Sequence, residues 1–386
     1  MKMMYLRKVF LFCAFVTISL PLLSCRGEGG EDKPEPVEQD IHARILNEWR
    51  TSKRSTVQAN LDKLVIRQGG NEMKYWFTTY GTEPAGGHSL WISMHGGGGT
   101  THDVNDSQWE NQKGLYKPSE GIYLCPRAPW DAWDMWFQEP IDALFEELIM
   151  TMVVGYGVNP DKVYLMGYSA GGDGVWRLAP RLADHWAAAS MMAGHPGDVS
   201  LLNVRNLPFT LWVGALDSAY DRNVQVAARG EELDSLQAAD PEGYIHSTHV
   251  VAGKPHWMDL RDAQAVPWMA KYTRNPYPKY IIWQQEEVLR PTFYWLRAPK
   301  YELARGKQVI VDVKNNVITL SRCDYSQLTF LLNDQLVDFS RPVTVRYNDS
   351  TLFEGTVTPD EAVMRATLAE RNDPRYMFDA ELTIHL

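Results

Sequence analysis

Cysteine is scarce: the chain has four in 386 residues. Cys13 lies inside the opening apolar run and Cys25 directly behind it. That leaves Cys125 and Cys323, which fall in what are assigned below to different domains, so a disulfide framework is not expected. Basic charge is also in deficit, with 38 Lys and Arg against 48 Asp and Glu for a formal charge of −10. A chain of that sign repels a phosphate backbone, which excludes nucleic acid as a partner. Long apolar runs are missing as well. The longest, near the N-terminus, has about fifteen residues, short of the ~20 that a spanning helix needs. Metal-ligand spacing is absent from "HDVND" (His102 to Asp106) and from every other His/Asp pair, so neither a metal nor a cofactor is expected. Finally, all fourteen tryptophans fall at or before Trp295. The apolar fraction of 45% and charged fraction of 22% are ordinary for a globular protein and exclude disorder or a polytopic membrane protein as the main reading.

What is present begins with "MKMMYLRKVFLFCAFVTISLPLLSC". Lys2, Arg7 and Lys8 precede the apolar run and a small residue precedes Cys25, the pattern of a secretory signal over residues 1–24. The tetrad Leu22 to Cys25 resembles the lipobox of bacterial lipoproteins; an ordinary signal with a nearby cysteine is the plainer alternative. The resemblance implies cleavage before Cys25 and a lipid on that residue. With Arg26 next rather than an aspartate, it implies an outer-membrane anchor facing the periplasm or the cell surface. Removing the signal takes away three basic residues and no acidic one, which leaves the mature chain near −13. Residues 25–40 are acidic and rich in Gly and Pro, and read as a flexible tether.

From residue 41 to about 297, apolar strand-like runs alternate with helical stretches. The strand-like runs are "SLWISMH", "GIYLCPRAP", "VYLMGYS", "AAASMMAGHP", "FTLWVGALD" and "YIHSTHVVAG". Strands apolar throughout and separated by helices predict a mostly parallel, doubly wound α/β sheet buried on both faces. An antiparallel pair around Met73–Gly81 leads into it. Residues 298–386 change to period-two, β-branched runs joined by turn signals at Asn315-Asn316 and Asn348-Asp349, which predicts a small β-rich, sandwich-like accessory domain. One helix is expected at "PDEAVMRATLAER", where Asp360 and Glu361 suit a helix start.

The stretch "VYLMGYSAGGDGVW" carries the chemistry. Gly167, Ser169 and Gly171 fit G-x-S-x-G at a strand-to-helix junction, where a tight turn projects the hydroxyl from the carboxyl edge of the sheet. Average Gly and Ser usage gives about 0.1 such matches in a chain this long, so the motif needs support. Support comes from order and spacing. "HGGGG" (His95 to Gly99) follows the strand "SLWIS", where backbone N–H groups of Gly97 and Gly98 can meet an oxyanion together with that of Ala170, the residue after the serine. Asp217 ends "FTLWVGALD", and His256 follows the last strand in "KPHW". Serine needs an imidazole to take its proton, and the imidazole needs a carboxylate to fix its tautomer. Asp221 is the rival acid, Asp198 follows the wrong strand, and His246 and His249 lie within a strand.

On "HGGGG", "GYSAGG", Asp217 and His256, residues 41–297 resemble the α/β-hydrolase superfamily, in the style of polyhydroxybutyrate depolymerases, feruloyl esterases and dienelactone hydrolases. The resemblance implies a serine hydrolase that cleaves carboxylic esters through an acyl-enzyme on Ser169. A serine peptidase with the same triad stays open, and so does a non-catalytic glycan-binding lipoprotein. "WDAWDMWFQEP" sets Trp130, Trp133 and Trp136 three apart, which on a helix makes one aromatic face; it serves either packing or a sugar or aromatic platform. Trp130, Trp133, Arg127, His195 and Trp257 are the candidate substrate contacts. Arg127, Arg222 and His195 lie beside strand ends on the catalytic edge, where one of them could meet an anionic group. An ester, in particular an acyl or methyl ester on a polysaccharide, is the expected substrate.

Overall fold

The computed structural model describes residues 40–386; the expected signal, Cys25 and the tether through residue 39 lie outside the described residues. Eight strands form the main sheet: β1 (Val65–Gln68), β2 (Asn71–Tyr80), β3 (His88–Met94), β4 (Gly121–Pro126), β5 (Val158–Tyr168), β6 (Ala188–Met192), β7 (Phe209–Gly214) and β8 (His246–Val251). Their order is β1-β2-β4-β3-β5-β6-β7-β8. The hairpin β1–β2 and the β2–β4 pair are antiparallel, and every pair from β4 to β8 is parallel. The helices are α1 (Ile41–Lys63), α2 (His102–Lys113), α3 (Pro140–Tyr156), α4 (Ala170–Arg181), α5 (Arg222–Ala239), the short α6 (Ala265–Met269) and α7 (Glu361–Arg371).

Alternation along the central strands explains why both faces are covered. Leu90, Ile92 and Leu165 enter one apolar cluster with α3 and α4, whereas Trp91, Tyr164 and Met166 enter a second on the opposite face. Successive side chains of a strand point to opposite faces, so a strand apolar at every position needs cover on both. Helix α1, whose periodicity is masked by a largely polar surface, packs Ile45, Trp49 and Val57 into a third cluster with Met364 and Leu368 of α7. None of the described helices is long and apolar enough to cross a membrane.

The remaining strands are β9 (Tyr280–Gln284), β10 (Thr292–Phe293), β11 (Leu296–Arg297), β12 (Gln308–Lys314), β13 (Val317–Cys323), β14 (Gln327–Leu332), β15 (Val343–Tyr347), β16 (Ser350–Gly355) and β17 (Ala380–His385). They make a four-stranded sheet, β10-β11-β14-β17, and a five-stranded one, β16-β15-β13-β12-β9. Asn315 and Asn316 both take positive φ (53° and 64°) in the β12–β13 turn, as a tight hairpin requires. The change of sheet comes earlier than the loss of tryptophan near residue 297 suggests: β9 already pairs with β12, since "YIIWQ" alternates inward Ile281 and Trp283 with less buried neighbours. Residues 40–386 form one compact unit.

Buried charge joins the two halves of that unit. Asp184, just past α4, accepts hydrogen bonds from the Arg371 guanidinium, the His185 Nδ1 at 2.8 Å and the Tyr294 N–H at 3.1 Å. Burial alone would raise its carboxyl, but Arg371 and His185 hold it well below the usual carboxylate range. Arg274 reaches Asp373 at 2.8 Å and Asp161 at 2.9 Å. Removing one partner of such a pair leaves a buried charge uncompensated, at a cost of about 3–5 kcal/mol. Arg371→Met is therefore expected to destabilise the protein by about that amount in urea denaturation. Truncation after Arg297 is expected to give insoluble material, and a soluble, fully active truncated protein would contradict this reading.

Candidate active site

Ser169 sits between β5 and α4 with φ 58° and ψ −121°, a backbone conformation rare for a residue with a side chain. The turn is held by contacts that leave no room for a Cβ nearby. One built on Gly167 would lie 2.2 Å from the Gly171 carbonyl oxygen, and one on Gly171 would lie 2.3 Å from that of Met94. The Ser169 N–H donates to the Met192 carbonyl at 2.9 Å, which ties the turn to the end of β6.

The other two chemical groups come from the loops that follow β7 and β8. His256 Nε2 lies 3.0 Å from Ser169 Oγ, and His256 Nδ1 lies 2.7 Å from Asp217 Oδ2. The Asp217 side chain is 1% exposed and that of His256 41%. With Nδ1–H donating to the buried carboxylate, Nε2 is the nitrogen left to accept the serine proton. The Tyr168 hydroxyl donates to the His256 carbonyl and accepts the Met258 N–H at 3.3 Å, so the residue before the serine also fixes the histidine loop. The rivals lie elsewhere. Asp221 is an exposed residue at the start of α5, Asp198 pairs with Arg177 and Arg305, His246 bonds Asp234, and His249 stacks on Trp212.

A sheet of this order, with a strained serine after β5 and its acid and histidine after β7 and β8, settles the fold. It is the α/β-hydrolase fold. No family model and no curated protein matches the sequence. Solved structures similar to it include a thermostable esterase (TM-score 0.42, 19% identity) and the S954A mutant of the feruloyl esterase module from Clostridium thermocellum complexed with sinapinate (0.38, 15%). BES protein from Bacillus cereus is another (0.38, 13%). The aligned part covers 54%, 51% and 53% of this chain and 62%, 82% and 91% of theirs, so under two thirds of the thermostable esterase is spanned.

The glycine loop departs in one respect from the expectation. The Gly98 N–H donates to Asn105 Oδ1 at 3.0 Å, and Asn105 Nδ2 donates back to the Gly98 carbonyl at 3.0 Å, so Gly98 is not a free donor. Gly97 (φ 108°) and Ala170 are left, and neither N–H donates to an acceptor in the described chain. The "HDVND" segment supplies Asn105 as the loop's anchor. His95 is the second anchor: Nδ1–H donates to the Gly96 carbonyl at 2.6 Å, Nε2 accepts the Ala128 N–H at 3.1 Å, and the Trp136 indole donates to the His95 carbonyl.

The cleft beside Ser169 has a volume of about 460 Å³ and is lined by Gly97, Gly98, Gly99, Ser169 and Ala170 on one side and by Trp133, Asp173, Arg177, His195, Tyr220 and Arg222 around it. Of the predicted contacts, His195 and Trp133 are therefore at the cleft. The aromatic stripe is not a helical face: residues 129–138 form bends and turns, because each tryptophan is drawn to a different surface. Trp136 is fully buried, Trp130 packs half-buried on the core, and Trp133 is 69% exposed. Trp257 lies outside the cleft lining, tilted against Tyr168. Arg127 is no substrate contact; its guanidinium is buried on Asp106 at 2.7 Å, Asp131 at 2.6 Å and the Ala128 carbonyl. Asp173, Arg177 and Tyr220 escaped the sequence reading. Position three and seven residues beyond Ala170, on the first turns of α4, was the available signal for Asp173 and Arg177.

Burial pushes the His95 imidazole down to about 4, with Arg127 pressing the same way against the hydrogen bond to Gly96. The unfolded imidazole titrates near 6.5, so between those values the unfolded chain holds the extra proton and stability falls as pH drops. The full loss from this group is about 3 kcal/mol, complete only below the folded value. His95→Gln should flatten the slope of unfolding free energy between pH 6.5 and 4. An unchanged slope would contradict a neutral, loop-pinning histidine.

Proposed function

We propose that the protein is a serine hydrolase of carboxylic esters, working through an acyl-enzyme on Ser169. The observation that carries this is the continuous relay from Ser169 Oγ to His256 Nε2 and from Nδ1 to Asp217. Ser169 Oγ adds to the ester carbonyl carbon as its proton passes to His256 Nε2. The oxyanion meets the N–H groups of Gly97 and Ala170, and Asp217 stabilises the imidazolium. Collapse of the tetrahedral species expels the alcohol oxygen, which leaves with the proton from His256. Water then repeats the sequence on the acyl-serine, giving its proton to His256; the freed acid departs and Ser169 recovers its hydrogen. Each donor removed from an oxyanion site costs about 10²–10³ in kcat.

In the same proposal the chain is a lipoprotein anchored through Cys25 to the outer membrane, facing the periplasm or the cell surface. Its substrates are acyl or methyl esters on polysaccharides. The signal-like N-terminus, the Leu22–Cys25 tetrad and the acidic tether support the anchor, and exposed Trp133 at the mouth of the cleft supports a ring-bearing substrate.

Wild-type protein should hydrolyse p-nitrophenyl acetate, and Ser169→Ala should lower kcat by at least about 10³ while leaving the melting transition cooperative. Unchanged turnover in Ser169→Ala would remove the nucleophile assignment. Peptidyl p-nitroanilides hydrolysed faster than the ester would turn the reading to a peptidase, and no turnover of either would favour a binding protein.

A further inference from the structure

The cleft holds cationic groups that the hydrolytic relay does not use. Arg222, at the first turn of α5, has a buried Nε with no hydrogen-bond acceptor. Its Nη1 lies 3.5 Å from both Asp217 Oδ1 and the Ala219 carbonyl, the outer limit of such a bond. Asp217 is already committed to His256 at 2.7 Å. A guanidinium carries five N–H donors and no acceptor, so the buried Nε–H of Arg222 is left without a partner and its Nη1 has only two long ones. Tyr220 lies against it, 4.9 Å from ring centre to guanidinium carbon.

A second cation lies in the same wall. Arg177 of α4 is braced over the Phe137 ring at 5.3 Å and meets Asp198 at 3.1 Å and Glu287 at 3.2 Å, with Asp198 itself largely exposed. The acid that faces the cleft is Asp173. Burial raises its carboxyl towards the neutral form, against the opposing pull of the His195 N–H bonded to it at 2.6 Å and of the Arg222 charge.

Resting on the esterase reading, we infer that the cleft selects esters that carry a carboxylate near the scissile bond, with Arg222 as its principal partner and Arg177 as the second. Fork geometry matches a carboxylate in a bidentate manner, through charge-assisted bonds that are stronger than neutral ones. The competing possibility is that Arg222 only positions Asp217. Such a role would affect every ester alike, whereas a carboxylate subsite changes the ratio between anionic and neutral esters.

The test uses two matched pairs. p-Nitrophenyl hemiglutarate against p-nitrophenyl pentanoate places the charge on the acyl side; 4-acetoxybenzoate against its methyl ester places it on the alcohol side. In one pair the wild type should favour the anionic ester in kcat/KM by at least about tenfold, chiefly through KM. Arg222→Met should erase that preference and Arg177→Met should reduce it. With no variant at all, KM for the preferred anionic ester should rise as salt is increased from about 0.05 to 0.5 M, while KM for its neutral partner stays level. No anionic preference in either pair, or a preference left intact in Arg222→Met, overturns the inference. Ser169-dependent turnover of the neutral esters would then still stand, so failure of the subsite and failure of the esterase reading are distinguishable.

Discussion

Everything at the site depends on one close approach of backbone to backbone. Gly167 meets Gly171 and Gly171 meets the end of β3 at distances that admit no Cβ. Only under that compression does the chain leave β5 and enter α4 with Ser169 at positive φ, its hydroxyl raised above the strand ends. The first turn of α4 then presents the Ala170 N–H beside the glycine loop that ends β3. Strain at one residue is sustained because the strands on either side are locked in parallel register and buried on both faces.

The same compression couples the serine to the loop of His256. Tyr168 precedes Ser169, and its hydroxyl holds the backbone of His256 and Met258, so the turn that aims the serine hydroxyl also aims the imidazole. The glycine loop is set by a separate pair of anchors, His95 and Asn105, which reach it from its own two ends. Asp184, Arg274 and Arg371 tie the scaffold to the end of α7 and the turn after it, which makes the C-terminal region part of the fold's support.

Much of this was legible in the sequence because it rests on local pattern. The six apolar runs became β3 to β8, the G-x-S-x-G turn fell at a strand end, and Asn315-Asn316 closed a hairpin. Features that depend on distant partners were hidden. Arg127 looked available beside a strand end, but Asp106 and Asp131 reach it from α2 and from the turn that follows β4. Gly98 looked like a donor until Asn105 folded back onto it. The three-residue tryptophan spacing suggested a helix, yet its members answer to separate surfaces: one to the core, one to its edge, one to the cleft. Helix α1 escaped notice because its exposed face is polar and its few buried residues are paid out over 23 positions.

The central claim is that Ser169 is an activated nucleophile held by His256 and Asp217, and the most direct measurement is the site of covalent capture by a fluorophosphonate. After reaction and proteolysis, mass spectrometry should find the phosphonyl group on Ser169 alone, with labelling strongly slowed in His256→Ala. An adduct on another residue, or labelling at Ser169 that is indifferent to loss of His256, would contradict the account.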